Sequence, residues 1–216
     1  MVKSNSKSSV RPAPPRPIRR QQVRIIGGNW KRTPLPVQES AGLRPTPDRV
    51  RETVFNWLTF LLDGHWAGVH CLDLFAGTGA LGLEAASRGA ARVLLVEQHS
   101  EAVQQLEAIR QKLDAKQVTI VRGDARSVAQ GLPARSAGAG DRFNLIFLDP
   151  PYHADWLPAM LPLCTELLAQ DGLIYAEAEF ALEDHAAADW FGDWEIVRSG
   201  RAGMVFFHLL QRRNSA

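Results

Sequence analysis

A chain of 216 residues, 45% of them hydrophobic, is long enough for one α/β domain with an appendage and too apolar to stay unfolded. No apolar run approaches the ~20 residues that a membrane-spanning helix requires, and the basic N-terminus lacks the apolar core of a signal peptide, so the expected location is cytoplasmic. The net charge of +2 conceals an asymmetry: residues 1–32 hold nine Lys or Arg and no acid, leaving 16 basic against 23 acidic side chains in the rest.

Residues 1–22, rich in Ser, Pro and Arg, read as a flexible basic tail. For residues 1–17 a solubilising tail and a phosphate-binding arm stand as equal readings. From Arg19 onward the arm is preferred, because Val23, Ile25 and Ile26 begin to alternate with charges. Arg19, Arg20, Arg24, Lys31 and Arg32 are the candidate phosphate contacts, since Lys and Arg neutralise backbone charge and release counterions. The alternation predicts a short strand or hairpin, with Gly27-Gly28-Asn29 as its turn. Four prolines, Pro34, Pro36, Pro45 and Pro47, keep residues 33–47 extended.

A helix is then expected, with Thr46 as N-cap and Pro47 in the first helical position. Val50, Val54, Trp57, Leu58, Leu61 and Leu62 recur at helical spacing and form its apolar face. Arg44 and Arg49, and with less weight Arg51, are either solvated charges or guanidiniums aimed at a cofactor carboxylate or at RNA phosphates. Residues 23–63 thus form an RNA-facing appendage, and 64–212 the catalytic domain.

From residue 69 strands and helices alternate, the pattern of a parallel sheet with covered faces. Strands are expected at Val69–Phe75, Arg92–Glu97, Gln117–Arg122, Phe143–Leu148 and Leu173–Glu177. Helices are expected at Gly79–Arg88, Ser100–Leu113, Ala125–Gln130 and Asp155–Ala169, and residues 131–142 read as a surface loop. Trp194–Ser199 and Met204–Leu210, joined through Gly200-Arg201-Ala202-Gly203, predict a C-terminal antiparallel hairpin. The fold class is α/β: a Rossmann-like, seven-stranded, mostly parallel sheet closed by that hairpin, with a small basic hairpin-and-helix appendage at the N-terminus.

Small residues turning from a strand into a helix let backbone N–H groups approach a ligand closely. Asp73 ends a strand, and Ala76-Gly77-Thr78-Gly79 makes such a turn. Phe75 stands where a dinucleotide fingerprint would place its first glycine, which argues against NAD and suits the smaller methionine moiety of S-adenosylmethionine. Glu97 closes the next strand, where an acid can take both ribose hydroxyls. Gly123-Asp124-Ala125 closes the third, with Asp124 placed to accept from the adenine amine.

The Asp149-Pro150-Pro151-Tyr152 run follows the fourth strand. An exocyclic base amine is a poor nucleophile because its lone pair is delocalised into the ring. The Asp149 carboxylate and the Pro150 carbonyl can grip its two hydrogens and direct that lone pair at a methyl group, and prolines stiffen the loop. Tyr152 offers a flat face for a base to stack on. Together the two motifs predict methylation of an amine conjugated to a planar ring, with Asp149 or water taking the proton. The six histidines show no metal-ligand spacing, so no metal is expected. Cys71 and Cys164 read as reduced, buried thiols. Glu177 and Glu179 read as solvent-facing, and Trp156, Trp190 and Trp194 as core or lid packing.

Arg24–Gly28, Gly42-Leu43-Arg44-Pro45-Thr46, Asp48–Thr53, Leu72–Leu83, Asp149–Tyr152 and Ala202-Gly203 together resemble the RsmD family, bacterial methyltransferases acting on the exocyclic N2 amine of a guanine in 16S ribosomal RNA. The likeness covers roughly residues 23–211. It implies cofactor binding by Asp73, Gly77, Gly79, Glu97, Asp124 and Asp149, and an RNA-facing basic N-terminus. It also implies a substrate that is an assembling 30S subunit rather than bare RNA. A monomer is expected, with no membrane partner. The Asp-Pro-Pro-Tyr run alone is shared with DNA adenine and cytosine amino-methyltransferases, so a DNA or other RNA enzyme remains an alternative. So does a non-catalytic cofactor-binding assembly factor.

Overall fold

Hydrophobic runs bounded by small-residue turns become the central strands of the computed structural model, which describes residues 23–37, 46–132, 142–151 and 155–213. Strands β3 (His70–Asp73), β4 (Arg92–Glu97), β5 (Val118–Arg122), β6 (Phe143–Leu148) and β7 (Leu168–Ala178) run parallel, and β8 (Trp194–Ala202) and β9 (Val205–Arg212) complete the sheet. The order in space is β5-β4-β3-β6-β7-β9-β8. Strand β9 runs antiparallel to both of its neighbours, which gives the expected reversed strand and terminal hairpin. The chain steps outward from β3 to β5 and then crosses to β6 on the other side of β3. A crevice forms at such a switch point, beyond the carboxyl ends of the strands.

Both faces of the sheet are covered. Helices α1 (Asp48–Leu61), α2 (Gly82–Arg88) and α3 (Ser100–Lys112) pack on one face, and α4 (Ala125–Gly131) and α5 (Trp156–Leu167) on the other. Side chains alternate accordingly: Leu145 and Phe147 join the first core, Ile146 and Leu148 the second. Val54, Phe55 and Leu58 carry the buried stripe of α1. The Phe55 ring lies 5.9 Å from that of Trp66 and 5.8 Å from Phe147, which in turn sits 5.9 Å from Tyr175. Burying one such phenylalanine contributes about 1.5–3 kcal/mol, so this aromatic row fixes α1 over the carboxyl-terminal half of β6 and β7. No helix among the described residues is long and apolar enough to cross a membrane.

The N-terminal hairpin forms as expected from its alternation, with β1 (Val23–Arg24) pairing antiparallel to β2 (Pro34–Leu35). Its connection is longer than a tight Gly27-Gly28-Asn29 turn: Ile25 N–H donates to the Thr33 carbonyl at 3.0 Å, and the reversal extends to Arg32, whose φ is +72°. The hairpin is clamped to α2. Glu84, wholly buried, accepts from the N–H groups of Ile26 (2.5 Å) and Gly27 (2.8 Å) and pairs with Arg88 at 2.8 Å. Asn29 N–H donates to the Ser87 carbonyl at 2.8 Å, and Trp30 N–H to the Ser87 hydroxyl at 2.9 Å. Gly28, at φ +71°, lies so close to Ser87 that a Cβ there would fall 1.9 Å from its carbonyl oxygen.

Among the boundaries that differ from the sequence expectation, two have a clear physical reason. Strand β7 begins at Leu168, not Leu173: Phe143 pairs with Leu168 and Leu145 with Leu173, so the intervening residues form an irregularity that looped Ala-Gln-Asp-Gly chemistry disguised as a plain turn. The C-terminal hairpin turns at Gly203-Met204, with Ala202 and Val205 already paired, because Gly203 supplies the positive φ of +66°.

Candidate active site

The carboxyl ends of five adjacent strands each bring an acid to the crevice: Asp73 on β3, Glu97 on β4, Asp124 after β5, Asp149 after β6 and Glu177 on β7. Asp73 is 1% exposed. Its Oδ2 accepts the N–H of Gly82, the first residue of α2, at 3.0 Å, while its Oδ1 is buried without a hydrogen-bond partner. Burial, and then the charge of Glu97, push its pKa up to about 7, against the opposing effect of the Gly82 hydrogen bond and the nearby Phe75 N–H.

Between them the loop turns through Gly77 (φ +50°) and Gly79 (φ +79°), the left-handed conformation that glycine adopts without steric cost. Ala76 N–H donates to the Val96 carbonyl at 2.9 Å, tying the loop to β4. Gly82 carries a second constraint that the sequence reading did not single out, since a Cβ there would meet Leu95 Cδ2 at 2.2 Å and Asp73 Oδ2 at 3.1 Å. The signal was its place, three residues after Gly79 at the head of a helix that must pack flat on the sheet. Phe75 is half-buried and meets Trp156 edge-on at 5.2 Å, so Trp156 packs over the loop as the sequence suggested.

Glu97 lies across the loop mouth. Its Oε2 accepts the Gly77 N–H at 2.9 Å, and its Oε1 the N–H of His99 at 2.8 Å, with the His99 ring Nδ1 also at 2.8 Å. Asp124 caps α4: its Oδ1 accepts from the N–H and the hydroxyl of Ser127, both at 2.9 Å, and its Oδ2 has no partner among the described residues. Ala125 follows it, buried, as the first residue of α4. S-adenosylmethionine fits these groups. An orphaned buried carboxylate oxygen on Asp73 suits an ammonium, and Glu97 and Asp124 stand at the ends of the next two strands as hydroxyl and amine acceptors.

Strand pairing sets Asp149 beside this loop, because Asp73 is in register with Phe147, two residues before it. Glu177, buried, and Asp149, half-buried, lie close together at this end of the sheet. The Thr46 hydroxyl lies between them, 2.6 Å from Glu177 Oε1 and 3.2 Å from Asp149 Oδ2, and the Tyr175 hydroxyl donates to Glu177 Oε1 at 2.6 Å. Burial, then the charges of Glu177 and Asp73, drive the Asp149 carboxyl well above the usual carboxylate range. Burial raises Glu177 too, opposed by its three hydrogen bonds.

Three expectations are overturned here. Glu177 is not solvent-facing but 4% exposed, because a strand inside a parallel sheet has no solvent face; Glu179, two residues on, is exposed. Thr46 does not cap α1. Pro47 takes the N-cap position without a side-chain bond, and the Thr46 hydroxyl is committed to the carboxylate pair instead. Arg51 is also no ligand contact: wholly buried, it pairs with Asp48 at 2.6 Å and donates to the carbonyls of Arg24 and Thr46.

Arg24, Lys31 and Arg32 line one groove of about 390 Å³ together with Asn56, Arg88, Asp48 and Glu52. None of the cofactor-loop residues lines it. Lys31 and Arg32 are exposed, whereas Arg24 pairs with Asp48 at 2.9 Å. Arg49 is exposed on α1 and does not line the groove. Pro150 follows Asp149 as expected, half-buried. Arg19, Arg20, Arg44 and Tyr152 lie outside the described residues. Cys71 and Cys164 are free and buried, and burial pushes the Cys164 thiol up to about 12.

Comparison with known proteins yields consistent matches. The family model described as conserved hypothetical protein 95 matches residues 23–211. The ribosomal RNA small subunit methyltransferase D of Escherichia coli K12 is 40% identical over 193 residues, covering 88% of this chain and 90% of that protein. Its namesake from Haemophilus influenzae is 35% identical over 202 residues, covering 90% and 96%. The solved structure of a methyltransferase candidate from Escherichia coli matches with a TM-score of 0.72 and 36% identity, covering 90% of this chain and all of that one.

Proposed function

Given that the chain belongs to the RsmD family of ribosomal RNA small subunit methyltransferases, we propose that it methylates the exocyclic N2 amine of a guanine in 16S ribosomal RNA, within an assembling 30S subunit. It is an S-adenosylmethionine-dependent methyltransferase acting on ribosomal RNA; the base, the atom and the particle are the finer reading. The observation that carries this reading is the convergence of Asp149 and Pro150 with Asp73 at the switch point of the sheet.

The donor supplies a methyl group on a sulfonium. Asp73 and the Gly77–Gly79 backbone hold its methionine end, Glu97 the ribose and Asp124 the adenine. The Asp149 carboxylate and the Pro150 carbonyl accept the two amine hydrogens, so that the nitrogen turns its lone pair toward the methyl. Tyr152 stacks on the base. Arg24, Lys31 and Arg32 contact phosphates from the groove beside α1, and Arg49 does so from the exposed side of that helix. Arg19, Arg20 and Arg44 extend the same basic surface.

The test is transfer of labelled methyl from S-adenosylmethionine to naked 16S RNA, to 30S particles lacking this modification and to duplex DNA, with products resolved by nucleoside. Label in N2-methylguanosine from the particles is the expected result. Label in adenine or cytosine would overturn the choice of base.

A further inference from the structure

The transfer site holds more acid than gripping an amine requires. Asp149 alone supplies the carboxylate acceptor, yet Glu177 is packed against it with two hydroxyl groups, Thr46 and Tyr175, each 2.6 Å from the same Oε1. These contacts come from three separate parts of the chain: the segment before α1, the end of β6 and the end of β7. The groups facing the pair are Thr46, Tyr175 and the Asp73 carboxyl on β3. Among the described residues no Lys, Arg or His is hydrogen-bonded or ion-paired to either carboxylate.

Two carboxylates bridged by one hydroxyl, Glu177 buried and Asp149 half-buried, with no cation on either among the described residues, repel each other when both are charged, so the pair keeps one proton between them. The two hydroxyl donors favour the charged form on Glu177, which leaves the proton on Asp149. In that state Asp149 is only a neutral, weaker hydrogen-bond acceptor and cannot take a proton from an amine.

We propose that Glu177 is a positioning residue for methyl transfer: through Thr46 and a shared proton it sets both the orientation of Asp149 and whether Asp149 is charged and able to take a proton. The inference rests on the assignment of Asp149 to the amine. The pair gives its proton to solvent before transfer, encouraged by the positive charge of the bound donor. During transfer the nitrogen forms its bond to the methyl carbon as the carbon–sulfur bond breaks, and one N–H proton passes to Asp149. The pair is thereby returned to its singly protonated state, and no further reactant is needed.

Glu177→Gln keeps the shape and both hydroxyl acceptor contacts while removing the charge. Its kcat/KM should lose the acid limb of the wild-type pH profile, or show it displaced by at least about one unit toward lower pH, a tenfold change in proton affinity. Affinity for S-adenosylmethionine should stay within about twofold. A second measurement needs no variant activity: carbon-13 titration of the side-chain carboxyls in the free wild-type protein should show Asp149 and Glu177 titrating in two coupled steps. Asp149→Asn is the control. If it transfers methyl at the wild-type rate, the assignment of Asp149 fails. If it is inactive while the Glu177→Gln profile is unmoved, or Asp149 titrates as an isolated carboxyl, the role of Glu177 alone is overturned.

Discussion

The half of the crevice we assign to the donor and the half we assign to the acceptor are built on different principles. On the donor side each acid lies at or just beyond the end of its own strand and accepts a backbone N–H from further along the chain: Asp73 from Gly82, Glu97 from His99, Asp124 from Ser127. On the acceptor side Asp149 and Glu177 are bound by side-chain hydroxyls, and Thr46 reaches them from 103 and 131 residues away. Local turns can preform a cradle for a small molecule. The half we assign to the RNA base is assembled only when the N-terminal segment docks on the sheet.

The sharpest break between the halves is Asp149→Asn, which should lower methyl transfer by about 10²–10⁴-fold while leaving affinity for the donor near wild type, as read by calorimetry. Glu84→Ala strikes the joint between the halves. It strands the half-buried Ile26 and Gly27 N–H groups and the Arg88 guanidinium, and should cost about 3–5 kcal/mol in a denaturant titration. Asp73→Asn should do the reverse of the first substitution, weakening donor binding by about tenfold to hundredfold, the loss of one charge-assisted hydrogen bond.

The two halves also share a pH signature in the free protein. Asp73, raised from 3.8 to about 7, binds a proton more tightly when folded than when unfolded, and Asp149 and Glu177 shift the same way. Stability is therefore greatest at low pH within that window and falls as pH rises through about 7. The midpoint of thermal unfolding should decline from pH 5.5 to pH 8, less steeply in Asp73→Asn; an unchanged slope would remove Asp73 from the account. The smallest effects belong to the groove. Lys31→Ala and Arg32→Ala should each reduce the slope of log affinity for RNA against log salt by about one, without altering donor binding.

The same contrast decided what could be read in the sequence. Asp73, the Gly77–Gly79 turn and Asp149 were legible because each is a short pattern at a strand end, and β4 was placed to the residue. Thr46 was misread because Thr-Pro-Asp is a good local capping signal, and nothing nearby announces two distant carboxylates competing for the hydroxyl. Glu177 was missed because the Tyr-Ala-Glu-Ala-Glu alternation suggests one wet face, whereas α1 and α5 cover both. Glu84 and Ser87 gave no warning either. An acid inside a helix is normally solvent-facing, and only the arrival of the hairpin turns it inward.

Helix α2 has a metric role in this architecture. Its first N–H is held by Asp73 at the cofactor loop, and Glu84 and Ser87, two and five residues further, hold the hairpin that carries Lys31 and Arg32. Seven residues at 1.5 Å each make a strut of about 10 Å with both ends engaged. One residue inserted between Gly82 and Glu84 would swing everything beyond it by about 100° and carry both anchors off the hairpin. In that helix spacing is under tighter constraint than identity, so length changes should be tolerated almost anywhere on the surface sooner than in these two turns.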